Sequence, residues 1–229
     1  MMNDLGKPSP GERTSDTLAE RLRACYTGAV HDVLHAMGHQ RCVLPHAIKA
    51  IDPRMRLAGP IWTVAGHLDR TRTRDETLLG WCTLLARAPS GHVVVCQPNN
   101  QEIALMGELS AQSLKARGVL GYVVDGGSRD TDLVLEQGFP VFCTFLTPSD
   151  IVERWMPDRY GDPITIGEVT IRTGDYLLGD RDGVVIVPRE LAPEAIARTE
   201  EVVATESEMR KALIAGMDPV EAYLKYGKF

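Results

Sequence analysis

Arg129 and Asp130 stand side by side at the end of a glycine-rich run, Gly126-Gly127-Ser128-Arg129-Asp130, and twenty residues separate Arg129 from an earlier acid, Glu108. A guanidinium matches a carboxylate with two parallel hydrogen bonds. A neighbouring carboxylate can hold Mg2+ or Mn2+, hard ions that take oxygen ligands and keep several waters. The pair therefore suits a small 2-oxo acid, with Arg129 on its carboxylate and an ion on Asp130 polarising the adjacent carbonyl. Glu108 follows Gly107 at an expected helix start, where unpaired N–H groups and the dipole attract a carboxylate or an enolate oxygen. Gly107, Glu108, Leu109 and Ser110 are the candidate substrate contacts there. The plainer reading of Arg129-Asp130 is a surface turn whose charges pair with each other or with solvent.

Other chemistry-bearing residues are weaker candidates. His31, His35 and His39 recur every four residues, a spacing that can bind zinc on a helix. Gly38 ends the expected helix before His39 and no third ligand is evident; one of His31 or His35 could instead line the substrate pocket and tune its specificity. Asp180 and Asp182 flank Arg181 ahead of an apolar run and read as a turn and strand cap. The mixed-charge run at residues 69–76 reads as a solvated loop able to cover a site. A Schiff-base mechanism would turn attention to a lysine such as Lys115, although it falls on an expected exposed helix face. Gly126-Gly127 lacks the spacing of a dinucleotide fingerprint, and there is no P-loop and no Ser-His-Asp pattern.

The elements that must position these residues follow from periodicity. Ser15 can cap a first helix running to Cys25, and Thr27 a second, with Val30, Val33, Leu34 and Met37 at helical spacing and Gly38 as its stop. Residues 45–60 read as loop and short strand, 61–65 as a strand, and 75–88 as a helix. Continuous apolar runs at 92–96, 119–124 and 139–145 have the character of strands covered on both faces. Residues 104–117 and 131–137 read as the helices between them, the latter closed by Gly138. This alternation predicts α/β architecture, with the Arg129 loop at the carboxyl end of a strand, where open α/β sheets bind ligands. Short strands with glycine turns follow from residue 164, then a charged helix over about 192–215 and a short tail with Tyr223 and Tyr226. Residues 70–74 and 155–160 are read as loops. The expected organisation is a flexible tail at 1–14, one α/β domain at 15–190, and a helical arm at 191–229 that packs on a neighbouring subunit.

Composition bounds the remaining choices. The 229 residues are 44% hydrophobic and 24% charged, enough for a core without staples. A net charge of −6 argues against a nucleic-acid binder, which usually carries a basic face. No signal peptide is evident and no apolar run approaches the roughly 20 residues of a membrane span, so a cytoplasmic protein with no membrane partner is expected. Five widely spaced cysteines without a C-x-x-C pair read as reduced thiols.

Four separated motifs carry a resemblance. Ala104-x-x-Gly107-Glu108-Leu109, the span from Gly121 to Asp130, Gly138-Phe-Pro-Val-Phe142, and the span from Gly179 to Pro188 together resemble the RraA-like family. The resemblance runs from about Thr27 to Pro188 and points to the branch of 4-hydroxy-4-methyl-2-oxoglutarate aldolases, which also decarboxylate oxaloacetate. It implies a swivelling β/α/β layered domain, a homotrimer or dimer of trimers (a homohexamer), active sites between subunits, and Mg2+ or Mn2+ as cofactor. It also implies catalytic roles for Arg129 and Glu108, substrate contacts from Gly107 to Ser110, and Asp130 as metal ligand. This chain has Glu108 where well-described aldolases often carry Asp. A C-terminal glutamate that reaches the neighbouring site matches Glu206 best, with Glu208 as the alternative. Some relatives are instead non-catalytic regulators that bind a ribonuclease; these tend to lack a C-terminal arm, so residues 191–229 favour the aldolase branch. A different metal-dependent reaction on a related oxo acid is the remaining alternative.

Overall fold

Alternate side chains of one apolar strand enter two different cores, and this organises the molecule. In the run Val93 to Cys96, Val94 and Cys96 pack with Trp81, Leu84 and Leu114, whereas Val93 and Val95 pack with Ile61, Val123 and Phe142. A strand with no polar face must be covered on both sides, as the sequence pattern requires. The structure, a computed structural model, describes residues 17–227. The expected tail at 1–14 and the Ser15 cap lie outside them.

Helices α1 (Thr17–Ala24) and α2 (Thr27–Ala36) lead to the short β1 (Lys49–Ala50) and the long β2 (Leu57–Leu68). Then come α3 (Arg74–Arg87), β3 (Val93–Gln97), α4 (Glu108–Ala116), β4 (Gly121–Val124), β5 (Gly127–Ser128), α5 (Thr131–Gln137), β6 (Val141–Cys143) and β7 (Phe145–Leu146). The chain continues through β8 (Trp155–Tyr160), β9 (Ile164–Ile166), β10 (Val169–Ile171), β11 (Tyr176–Gly179) and β12 (Val184–Val187). Helices α6 (Ala192–Ile214) and α7 (Pro219–Tyr226) complete it.

One mixed sheet, ordered β1-β6-β4-β3-β2-β11-β12, curls towards a barrel, with β8 paired to the far end of β2. Strands β2, β3, β4 and β6 run parallel; β11 and β8 are antiparallel to β2. The length of β2 has a topological reason. Leu57 to Pro60 pair with β11, Ile61 to Ala65 with β3, and Val64 to Leu68 with β8. Helices α3 and α4 cover one face through Trp81, Leu84, Ala111 and Leu114. The β9–β10 hairpin covers the other through Ile164, Ile166, Val169 and Ile171. A third core joins α1, α2 and the first half of α6 to Leu178, Val185 and Val187. The mixed α/β architecture agrees with the expected layered domain followed by a long C-terminal helix.

Several local expectations need correction. Residues 104–117 are not all helical: Ala104 bridges Gly127 and the Leu105 amide donates to the Gly127 carbonyl, so the helix starts only at Glu108. Residues 155–160, read as loop, form β8. The tail with Tyr223 and Tyr226 is α7, started by Pro219 and capped by Asp218, whose carboxylate accepts the Val220 and Glu221 amides. Tyr26, not Thr27, occupies the cap position of α2 and makes no side-chain cap bond. The capping oxygens come from Asp180, whose carboxylate accepts both the amide and the hydroxyl of Thr27 at 2.9 and 2.8 Å. Asp180 also accepts the Asp182 amide at 3.0 Å, so its turn role holds and a helix-capping role is added.

Candidate active site

The site is assembled where three short backbone bridges meet. The Arg129 amide donates to the Met106 carbonyl, Gly127 pairs with Phe145, and Ser128 pairs with Leu146. These contacts bring the start of α4, the Arg129 loop and the segment after β7 to one cavity of about 560 Å3. Gly107, Glu108, Leu109, Ser110, Arg129 and Asp130 all line it. The substrate-binding candidates Gly107 to Ser110 and Arg129 and the metal candidate Asp130 are therefore in one place. Within this chain, Glu206 is not.

Asp130 links the two halves of the site. Its Oδ2 accepts the Glu108 amide at 3.1 Å and faces Arg129 Nε at 3.4 Å. Asp130 also adopts a left-handed backbone conformation, φ 53°, at the cap of α5, where it turns the chain sharply after Arg129. Asp tolerates this region better than most side chains. Gly107 is required by space, since a Cβ there would lie 2.6 Å from Asp130 Oδ2 and 3.2 Å from Arg129 Cγ. The close approach of α4 to Asp130 depends on having no side chain at this point.

The Glu108 amide is thus already committed, which narrows the anion-binding expectation. Among the described residues the Leu109 and Ser110 amides have no backbone acceptor, so these two can meet a substrate carboxylate. The Ser110 hydroxyl accepts Trp81 Nε1–H at 2.8 Å, fixing that side chain against the cavity wall. Gln137 donates to the Glu108 carbonyl at 3.3 Å and, more weakly, towards its carboxylate at 3.5 Å.

Sequence reasoning missed Asp150. Its Oδ2 lies 3.5 Å from Arg129 Nη1 and its Oδ1 lies 3.2 Å from Arg154 Nη2. No motif marks it; only the β5–β7 pairing brings it near. Three carboxylates, from Glu108, Asp130 and Asp150, therefore line the cavity beside one guanidinium. That balance favours a cation.

Asp130 fits a hard ion by its donor chemistry. Its contacts within the described residues fall on Oδ2, and Oδ1 is the oxygen left to face an ion. No three His, Cys, Asp or Glu side chains cluster as a metal cage among the described residues, so an ion here would combine Asp130 with waters. Mg2+ binds in this way, through one or two carboxylates and retained water.

The remaining candidates sit elsewhere. Glu206, on α6, accepts a hydrogen bond from the Tyr26 hydroxyl. Burial, and then the Glu206 carboxylate, push that phenol up to about 12. Glu208 pairs with Lys211 at 2.8 Å. His31 and His35 stack with ring centres 5.9 Å apart on α2, and His39 lies beyond the end of that helix at Ala36. Lys115 Nζ donates to the Gln137 carbonyl and does not line the cavity. The run at 69–76 ends in a capping box, Thr73 with Glu76, that starts α3. No helix among the described residues is long and apolar enough to cross a membrane.

The model of the RraA-like family (Aldolase/RraA) matches residues 27–186, and the chain belongs to that family. Protein DlpA of Legionella pneumophila is 27% identical over 91% of this chain, which spans about a third (34%) of DlpA. A protein of Halalkalibacterium halodurans with 4-hydroxy-4-methyl-2-oxoglutarate aldolase as its provisional name is 24% identical, covering 90% of this chain and 92% of its own. Among solved structures, RraAS2 of Streptomyces coelicolor, described as an unusual member of the RNase ES inhibitor RraA protein family, superposes with a TM-score of 0.76 at 27% identity. That likeness covers 87% of this chain and 99% of RraAS2.

Proposed function

We propose that this protein is a divalent-metal-dependent carbon–carbon lyase that releases pyruvate from 4-hydroxy-2-oxo acids of the 4-hydroxy-4-methyl-2-oxoglutarate type, and that it also decarboxylates oxaloacetate. The observation that carries the reading is the meeting of Arg129 and Asp130, 3.4 Å apart, with the start of α4. A cation for a carboxylate, a hard ligand for an ion and unpaired amides then face one cavity.

In this reading Arg129 and the Leu109 and Ser110 amides hold the substrate carboxylate. Breaking the C3–C4 bond leaves an electron pair that spreads into the pyruvate enolate, and the Arg129 guanidinium opposes that charge as it develops. Mg2+ or Mn2+ on Asp130 would supply Lewis-acid polarisation of the 2-oxo oxygen. A water held by Glu108 returns a proton to C3. Aldol cleavage also needs a base for the C4 hydroxyl proton, and Glu206 of a second copy, through water, would fill that role in an oligomer with shared sites. Decarboxylation needs no such base and should outlast the loss of Glu206.

The test is pyruvate release from oxaloacetate and from 4-hydroxy-4-methyl-2-oxoglutarate with Mg2+. Arg129→Ala and Asp130→Ala should each lower turnover by orders of magnitude. Rates near wild type in either variant would refute the assignment.

A further inference from the structure

Trp81 is held from two directions. Its ring meets that of the fully buried Trp155 edge-on, with centres 6.0 Å apart at 73°. Trp155 is itself anchored, its Nε1–H donating to the Pro98 carbonyl at 2.9 Å. The Trp81 Nε1–H in turn donates to the Ser110 hydroxyl oxygen at 2.8 Å. An indole is a donor only, and a hydroxyl carries one proton and two lone pairs. The Ser110 proton is therefore turned away from Trp81. A serine within a helix commonly returns that proton to the carbonyl three or four residues back. For Ser110 those carbonyls belong to Gly107 and Met106. Met106 already accepts the Arg129 amide at 2.9 Å and the Ser128 hydroxyl at 3.4 Å, and Gly107 accepts the Ala111 amide at 3.0 Å. Ser110 is the third residue of α4 and lines the cavity with Arg129. Helical side chains lean back towards the N-terminus, so its hydroxyl leans the way the first amides of α4 point.

We infer that Trp81 is a positioning residue: its indole N–H turns the Ser110 hydroxyl into a donor to the C1 carboxylate of the substrate, beside the Leu109 and Ser110 amides. This rests on the lyase reading for the identity of that carboxylate and adds two side chains to its recognition. A hydroxyl whose rotation is already fixed loses less freedom when the ligand arrives, which is how preorganisation raises affinity.

The experiment measures pyruvate binding to the Mg2+-loaded full chain by calorimetry, and kcat and KM on oxaloacetate, for Trp81→Phe, Ser110→Ala and the double variant. Phenylalanine keeps a ring against Trp155 and loses the N–H. Each single variant should raise the pyruvate Kd and the KM about threefold to tenfold, the scale of one neutral hydrogen bond. The kcat should stay within about twofold, the split expected of a contact made equally in ground and transition states. In the Ser110→Ala background, Trp81→Phe should add nothing, because no hydroxyl remains to be oriented. A merely structural indole would contribute the same factor in both backgrounds. Additive effects, or an unchanged pyruvate Kd in either single variant, overturn the inference while wild-type turnover keeps the lyase reading. Pyruvate binding without turnover of oxaloacetate or of 4-hydroxy-4-methyl-2-oxoglutarate overturns the lyase reading, and the cycle on Kd still decides the role of Trp81. A wild-type chain that neither binds nor releases pyruvate overturns both.

Discussion

Asp150 and Arg129 meet at 3.5 Å although nothing in their sequence spacing links them, and Arg154 holds the other oxygen of Asp150 at 3.2 Å. With Asp130 at Nε, the guanidinium is gripped from two sides. Asp150 is a positioning residue in this account. Asp150→Ala should lower kcat/KM about tenfold, mostly through KM, because a loosened guanidinium meets the carboxylate less often in the right geometry. Steady-state kinetics resolve this, and unchanged KM would show that Asp130 alone sets the orientation.

Gly107→Ala puts a methyl group where only 2.6 Å separates it from Asp130 Oδ2. Either α4 or the Asp130 carboxylate must shift. A displacement of that size at a catalytic group costs on the order of 100-fold in rate. The site lies at the surface end of the fold, so the thermal midpoint should move far less than activity does. A variant with near-wild-type turnover would remove the close approach from the argument.

Thorough chelation should abolish turnover, and Mg2+ or Mn2+ should restore it. Lys115→Ala should leave both results unchanged, because its ammonium is engaged with the Gln137 carbonyl outside the cavity. Activity that survives chelation and is trapped by borohydride would point to a Schiff base.

Alkali should weaken the fold. Burial pushes the Cys96 thiol up to about 12 and Cys143 up to about 11, both from 9.0. The folded chain keeps these protons while the unfolded chain loses them, so their stabilisation is intact below about pH 9 and is lost as pH rises towards 11 to 12. Urea midpoints measured from pH 8 to 11 should fall with pH. Cys96→Ala should be less stable at pH 8 through a small cavity, yet show a shallower decline. An equal slope would assign the alkaline loss to other groups.

Asp180→Ala removes the acceptor for the Thr27 amide and hydroxyl and for the Asp182 amide. Thr27 is buried, so the orphaned donors should lower stability by about 2 kcal/mol, within the range for a lost buried hydrogen-bond partner or helix cap. Chemical denaturation reads this directly, and a change below a few tenths would mean that water replaces the carboxylate.

Much of this is legible in the sequence alone. The runs ending at Cys96 and Val124 announce strands covered on both faces, and Gly138, left-handed at φ 63°, closes α5 where its position predicts. Arg129 and Asp130 are adjacent, and their distance from Glu108 is one helix and one strand, so local pattern suffices to bring them together. Asp150 is different: its place follows from a two-residue pairing, Gly127 with Phe145 and Ser128 with Leu146, too short to leave a periodic signature. Strand β8 is hidden by its own composition, since Pro157 and Asp158 are depleted in strands. Pro is tolerated there because β8 pairs with β2 on one side only, at the place where its register shifts between Ala65 and Gly66. For Glu206, helical spacing could not show that Tyr26 would be its partner.

The first third of β2, Leu57 to Pro60, is paired by β11, and the start of α2 is capped by Asp180, 153 residues along the chain from Thr27. On the ribosome, then, the N-terminal third emerges with a naked strand flank and an uncovered greasy face long before its partners exist. Nascent chains in that condition are prey to aggregation and clients for chaperones. Deletions that stop short of Tyr176 should accordingly yield inclusion bodies and not a smaller working protein.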